Sequence, residues 1–339
     1  MAMKPTDFAT LLTGFLAVYL PRQKNASNNT IAAYRDTFKL LLRYCKEQKN
    51  IPVEKLNMDM LTHVMIADFL EWLEKERKSS IATRNQRLAA IHSFFRYAQY
   101  EEPSGILHFQ KVIALPVKKA SKPSVPHLTP AAMKLLLSQP DKMTVKGRRD
   151  LTLLSVLYDS GCRVQELANL QVRDVVLGDP AVLILTGKGN KMRRVPLMKN
   201  TLALLRHYIQ EHSLDNNWKS DYPLFTNKQR NKLTKEGIAY IISQHVVSAR
   251  RASTEVPAKV TPHMVRHSKA MHLLQAGVSL IYIRDFLGHE DIKTTEIYAK
   301  CDCELKRQAI ENAYPDLVDS NLPDWNKDAA LLNWLSTLK

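Results

Sequence analysis

The chain has 339 residues, 45% of them hydrophobic, and a formal net charge of +16. That length suits about two domains of roughly 150 residues, each able to bury a core. No run approaches the roughly 18 apolar residues that a bilayer-crossing helix needs, and so large a basic excess points to a polyanionic partner. The opening stretch, MAMKPTDFATLLTGFLAVYL, has no leading basic cluster and no clear cleavage site. It reads as an amphipathic helix of a cytosolic protein, not as a signal peptide. Cys45, Cys162, Cys301 and Cys303 include no CxxC pair and no Cys/His set at zinc spacing, so reduced thiols and no metal are expected. Residues 1–120 carry 18 Lys/Arg against 11 Asp/Glu, and residues 121–300 carry 27 against 15. Residues 301–339 carry 4 against 7. Two basic segments are what a clamp on DNA requires, and only the tail is acidic.

The first segment reads as about four helices. After the first, Ser27-Asn28-Asn29-Thr30 offers caps for a helix with Ile31, Tyr34, Phe38, Leu41, Leu42 and Cys45 at helical spacing. Ile66, Phe69, Leu70 and Leu73 mark the next, and Leu88, Ile91, Phe94 and Phe95 the one after it. Lys39, Arg43, Arg84, Arg87 and Arg96 fall on the polar faces, as candidate DNA contacts. Pro103-Ser104-Gly105 breaks the pattern. Residues 115–128 then form a basic, proline-rich linker, in which Lys118, Lys119 and Lys122 are placed to lie along phosphates.

Thr129 and Pro130 open the second segment as N-cap and first helical residue. Two helices follow, and Gly161 ends the second of them. Short apolar runs around Val175, Val182–Leu185 and Val195–Leu197, separated by Gly, Asp and Asn, predict a three-stranded antiparallel sheet. Five further helical stretches complete the segment. An isolated amphipathic helix, LLNWLSTL, lies behind the polar stretch DSNLPDWNKD.

Unusual polar residues stand at the ends of these elements. Arg163 sits where an apolar helix stops, and Lys188 at the tip of the hairpin, where Lys191, Arg193 and Arg194 compete for its role. His263 and Arg266 occupy the first turns of a helix, three residues apart on one face. His289 follows, and Tyr298 comes nine residues later. Such a set can break a phosphodiester without metal. Two arginines hold the charge of the transition state, a lysine protonates the leaving oxygen, and a phenol attacks. Each residue taken alone has an ordinary structural reading. His267 reads as a core or capping histidine, and His207 and His272 as structural or surface. Glu166 either braces Arg163 or is exposed.

The motifs RVQEL, GKGNKMRRVPL, HMVRH and LGHEDIKTTEIY, in this order and spacing, resemble the tyrosine recombinase (phage integrase) family, Xer-like and mobile-element encoded in style. The resemblance covers essentially the whole chain. It implies a mainly α fold with a small antiparallel β-sheet: a two-domain, C-shaped DNA clamp with a SAM-like helical core-binding domain (1–114), the linker (115–128), a catalytic domain (129–319) and a tether with a C-terminal helix (320–339). It implies Arg163, Lys188, His263, Arg266, His289 and Tyr298 as catalytic residues, Lys191 and Arg193 as further DNA contacts, and no cofactor. Implied partners are double-stranded DNA with inverted-repeat sites and three further copies of the chain, linked by exchange of the C-terminal helix; accessory proteins are left open, and no membrane is implied. The start of the chain within the core-type domain implies one class of DNA site, and the setting implied is the prokaryotic cytoplasm and nucleoid. Two other functions use the same features: a type IB topoisomerase-like relaxing enzyme, and a non-catalytic accessory factor. The tail helix argues against the first and the complete residue set against the second.

Overall fold

Hydroxyl side chains start most helices of this chain. Thr6, Ser27, Thr62 and Ser80 each accept a hydrogen bond from a backbone N–H three residues on, and so do Thr129, Thr144, Thr234 and Thr261. Each such cap satisfies a donor that the helix itself leaves open, worth about 1 kcal/mol. The computed structural model describes residues 5–120, 125–301 and 329–337, with the backbone alone at Lys188, Asn217, Lys293, Ala299, Lys300, Cys301, Ala329, Leu331 and Leu332. The chain divides into two compact units, 1–123 and 124–339.

In the first unit α1 (Asp7–Gly14) runs on into a π-helical stretch, Phe15–Gln23, that contains Pro21. Proline has no N–H for the helical ladder, and the wider turn accompanies it. Then come α2 (Asn28–Lys49), α3 (His63–Lys75), α4 (Ile81–Glu101) and α5 (Ile106–Ile113). The core is aromatic. Around Phe94 of α4 stand Phe8, Phe15, Phe38 and Phe95, with ring centroids at 5.8, 5.5, 5.0 and 5.5 Å. All four pairs meet edge to face, as ring quadrupoles favour.

Two expectations change here. The unit has a fifth helix, α5, because Pro103–Gly105 makes one tight turn and the chain coils again, burying Phe109 and Val112. Arg84 does not face solvent as a DNA contact; it is 6% exposed. Its guanidinium pairs with Glu74 and donates to the Pro116 carbonyl at 3.0 Å, so it ties the start of the linker to α4. Arg87 is half-buried and donates to Ala33 O and Thr37 Oγ1 of α2. Lys39, Arg43, Arg96 and Lys119 are exposed; so is Lys118, which pairs with Glu74, while Lys122 lies outside the described residues.

The second unit opens with α6 (Pro130–Leu137), α7 (Val145–Ser160) and α8 (Val164–Asn169). Strands β1 (Val175–Val176), β2 (Val182–Thr186) and β3 (Met192–Pro196) form an antiparallel sheet in that order, with Leu183 opposite Val195. Next are α9 (Lys199–Glu211), α10 (Lys235–Ala252), α11 (Pro262–Gln275), α12 (Leu280–Leu287) and α13 (Lys293–Cys301). A tail helix spans Ala329–Thr337. The fold is thus mainly helical with one small sheet. Helix α7 is the centre of the core: Leu151 through Leu157 are all buried, the signature of a helix enclosed on every side. Packed on it, α11 brings the N-terminal residues of that helix to the end of α7.

Phe94→Ala is expected to destabilise the first unit by about 3–5 kcal/mol, since four rings lose their shared partner. Urea unfolding of the full chain checks this; a loss well below that range would mean that the aromatic cluster collapses to fill the gap.

Candidate active site

Two glycines shape the site. Gly161 ends α7 at φ 54° and Gly288 ends α12 at φ 66°, both in the left-handed region where a side chain is strained. A Cβ at Gly161 would stand 2.9 Å from the Leu287 side chain, and one at Gly288 would stand 3.0 Å from that of Arg193. The sharp turns leave the carbonyls at both helix ends open, and arginines take them.

Arg266, in α11, is 2% exposed. Its Nη1 donates to Gly161 O at 2.6 Å and its Nη2 to Leu287 O at 2.7 Å. Burial, with Arg163 nearby, lowers its pKa to about 10, so the charge persists at neutral pH. Arg163, at the start of α8, donates through Nη2 to Gly288 O at 3.3 Å. Its Nη1 donates to Glu166 Oε1 at 2.9 Å and its backbone N–H to Glu166 Oε2 at 2.8 Å. Arg193 of β3 grips the same carboxylate with two bonds, 3.0 and 2.7 Å, and donates to Phe286 O. Burial pushes the Glu166 carboxyl up, but the hydrogen bonds from Arg193 and Arg163 outweigh it and hold the group below its usual range. Glu166 therefore braces Arg163 and is buried rather than exposed. Arg193 is correspondingly not a free DNA contact: its guanidinium is spent on Glu166.

Arg163, Arg193 and His289 line one cavity of about 450 Å³, together with Lys191 and the backbone of Gly187 and Gly288. Arg163 keeps 35% of its side chain exposed toward solvent. Lys191 is exposed and pairs with Glu290 at 2.8 Å. Lys188 stands in the turn between β2 and β3, closed by Gly187 N–H to Lys191 O at 2.8 Å; its side chain lies outside the described residues.

His289 follows Gly288 and shares a hydrogen bond with Thr295 Oγ1 at 2.9 Å. Its ring stacks on that of Tyr298 with centroids 6.5 Å apart. Tyr298, on α13, is 1% exposed and packs among Ala270, Met271, Ile283 and Leu287. Burial pushes its phenol up to about 12, against the pull of Arg266. His263 is exposed in the first turn of α11, its ring 6.2 Å from that of His267. His267 holds the Tyr298 hydroxyl, Nδ1 to Oη at 2.8 Å. This corrects the reading of His267 as a mere core or capping residue. The signal was present: His263, Arg266 and His267 are three and four residues apart, so one face of α11 carries all three. Five of the six expected catalytic residues thus gather around the ends of α7 and α12, and the sixth, Lys188, stands in the hairpin turn whose Gly187 and Lys191 line the same cavity.

His267 and His289 are both depressed to about 4, first by burial and then by neighbouring positive or titrating groups. The unfolded chain has ordinary histidines near 6.5, so it binds protons first as pH falls. Their contribution to stability is complete above about pH 6.5 and is lost toward about pH 4. The melting temperature of the full chain is expected to fall across that window, and His289→Asn to make the fall shallower. A melting temperature independent of pH between those limits would contradict this.

Residues 126–304 match the model of the phage integrase family, and residues 12–102 that of the phage integrase N-terminal SAM-like domain. The chain is 37% identical over 314 residues to the putative integrase/recombinase y4rC of Sinorhizobium fredii, covering 92% of this chain and 93% of the relative. It is 30% identical over 322 residues to tyrosine recombinase XerC of Myxococcus xanthus, covering 91% and 99%. Among solved structures, the XerH site-specific recombinase bound to palindromic difH substrate aligns with a TM-score of 0.67 at 22% identity, over 88% of this chain and 84% of that one. The Tn1549 transposon integrase in complex with transposon right end DNA aligns at 0.68 and 19%, over 89% and 98%. These two share the fold. The match over more than half of the chain, together with relatives matched nearly end to end, identifies the chain as a member of the phage integrase family, the tyrosine recombinases, enzymes that cleave and rejoin DNA strands.

Proposed function

We propose that this enzyme recombines specific DNA sites through a 3′-phosphotyrosine bond to Tyr298. The observation that carries the reading is the meeting of Arg163, Arg266, His289 and Tyr298 at the ends of α7 and α12. Arg163 and Arg266 neutralise the scissile phosphate, and their fixed carbonyl and carboxylate partners keep them from rearranging during the reaction. His263 and His289 bind phosphoryl oxygens; His289 does so as a neutral donor. Lys188 protonates the departing 5′ oxygen. The phosphotyrosine ester keeps the bond energy, so a 5′ hydroxyl can attack it and reseal the strand without ATP.

In this reading residues 1–114 form the core-binding domain, 115–128 a basic linker along the backbone phosphates, 129–319 the catalytic domain and 320–339 a tether with its helix. Four copies act on two inverted-repeat DNA sites and pass through a Holliday junction. The tail helix supports assembly by exchange between copies: Trp334 and Leu335 are large apolar groups presented to solvent, and a neighbouring subunit would cover them. A role on a mobile element is part of this proposal. No helix among the described residues is long and apolar enough to cross a membrane; we place the enzyme at the DNA of a prokaryotic cell.

Tyr298→Phe is expected to abolish the covalent protein–DNA adduct on a nicked suicide duplex, chosen by the wild-type protein from a random-sequence pool, with DNA binding retained. An adduct that persists would remove Tyr298 as nucleophile. Truncation after Asp324 is expected to leave binding to a single site intact and to abolish recombination between two sites. Full recombination by the truncated chain would end the exchange idea.

A further inference from the structure

The Tyr298 hydroxyl does not open into the cavity where Arg163 and His289 stand; it is enclosed, and His267 Nδ1 lies 2.8 Å from it. His267 itself is half-buried. It belongs to α11, one residue after Arg266, whose side chain is pinned to two helix ends. The histidine is thus held on the same rigid turn as the arginine that carries the phosphate's charge. We propose that His267 accepts the proton of Tyr298 as the phenol attacks, and holds the hydroxyl in reserve until DNA is bound; this rests on the reading of Tyr298 as nucleophile.

With its ring proton on Nε2, His267 accepts the phenolic hydrogen bond at Nδ1. As Oη forms its bond to phosphorus, the O–H bond breaks and the proton passes to Nδ1, leaving an imidazolium. The phosphorus–5′-oxygen bond breaks in the same displacement, and that oxygen takes a proton from the acid on the opposite side. Religation runs the path backwards, and the imidazolium returns its proton to the departing phenol.

The surroundings make this transfer conditional. Tyr298 faces His267 from α13, while His263 and Arg266 lie on its own helix and His127 lies on the incoming chain. Burial, His263, Arg266 and His127 all disfavour a charged imidazole, so the free enzyme keeps the phenol protonated. A bound phosphate diester brings negative charge beside Arg266 and Arg163. It cancels the field that opposes the imidazolium, and the base becomes competent only when there is a bond to cut.

The test compares His267→Asn and His267→Ala with wild type on the selected suicide duplex. Asparagine keeps a polar atom near the position of Nδ1 but cannot take the proton; alanine removes both. Each is expected to bind DNA as wild type does and to form the adduct about 100-fold more slowly or worse. A duplex with a bridging 5′-phosphorothiolate, whose sulfur leaves without needing a proton, is expected to rescue Lys188→Ala and not the His267 variants. Added imidazole is expected to speed His267→Ala. Wild-type cleavage by either variant would overturn the proposal, as would rescue of both by the phosphorothiolate, which would put His267 on the leaving-group side. An adduct formed by Tyr298→Phe would instead overturn the nucleophile itself, a separate outcome.

Discussion

Arg266 ties the second unit together at its centre. The ends of α7 and α12 each carry open carbonyls and a partial negative charge, and one guanidinium bridges them. Burying a charge costs several kcal/mol, so the bridge exists only because both helix ends converge on it. In return, α7, α11 and α12 are locked in register. Arg266 then meets the end of α12, and His267 meets the Tyr298 hydroxyl on α13. The contacts that fix Arg266 are also contacts that hold the fold.

Around this bridge the charges are layered. Three guanidiniums, those of Arg163, Arg193 and Arg266, surround the buried carboxylate of Glu166, while Glu290 and Asp291 also line the cavity. Arg193 and Glu166 neutralise each other well inside the protein, whereas Arg163 remains partly open to the cavity. Burial first, and then the neighbouring charged and titrating groups, keep His267 and His289 neutral, so they add hydrogen bonds without adding repulsion.

The first unit is stabilised differently. Its core is a stack of aromatic edges and faces around Phe94, and its basic helices spend part of their charge internally. Arg84 and Arg87 join α4 to the linker and to α2. Exposed Lys39, Arg43 and Arg96 keep the basic outer surface that a polyanion would meet.

Local physics made much of this legible in the residues alone. A serine or threonine before an apolar period marks a helix start, and short apolar runs split by Gly, Asp and Asn mark the strands. The ordered motifs from Arg163 to Tyr298 are specific enough in sequence to mark the family. Other features were decided only by the tertiary structure. Arg84 and Arg193 looked like DNA contacts because a sequence shows charge, not the carboxylate that packs against it; Arg193 meets Glu166 from 27 residues away. Helix α5 was hidden by a proline turn, since what sustains it is the burial of Phe109 and Val112 in a core built elsewhere. His267 reads as a core or capping histidine in sequence because its partner, Tyr298, lies 31 residues further on and on another helix. Periodicity and capping act within a few residues and can be read along the chain. Which buried group meets which depends on how α7, α11, α12 and α13 pack, and only the folded protein sets that.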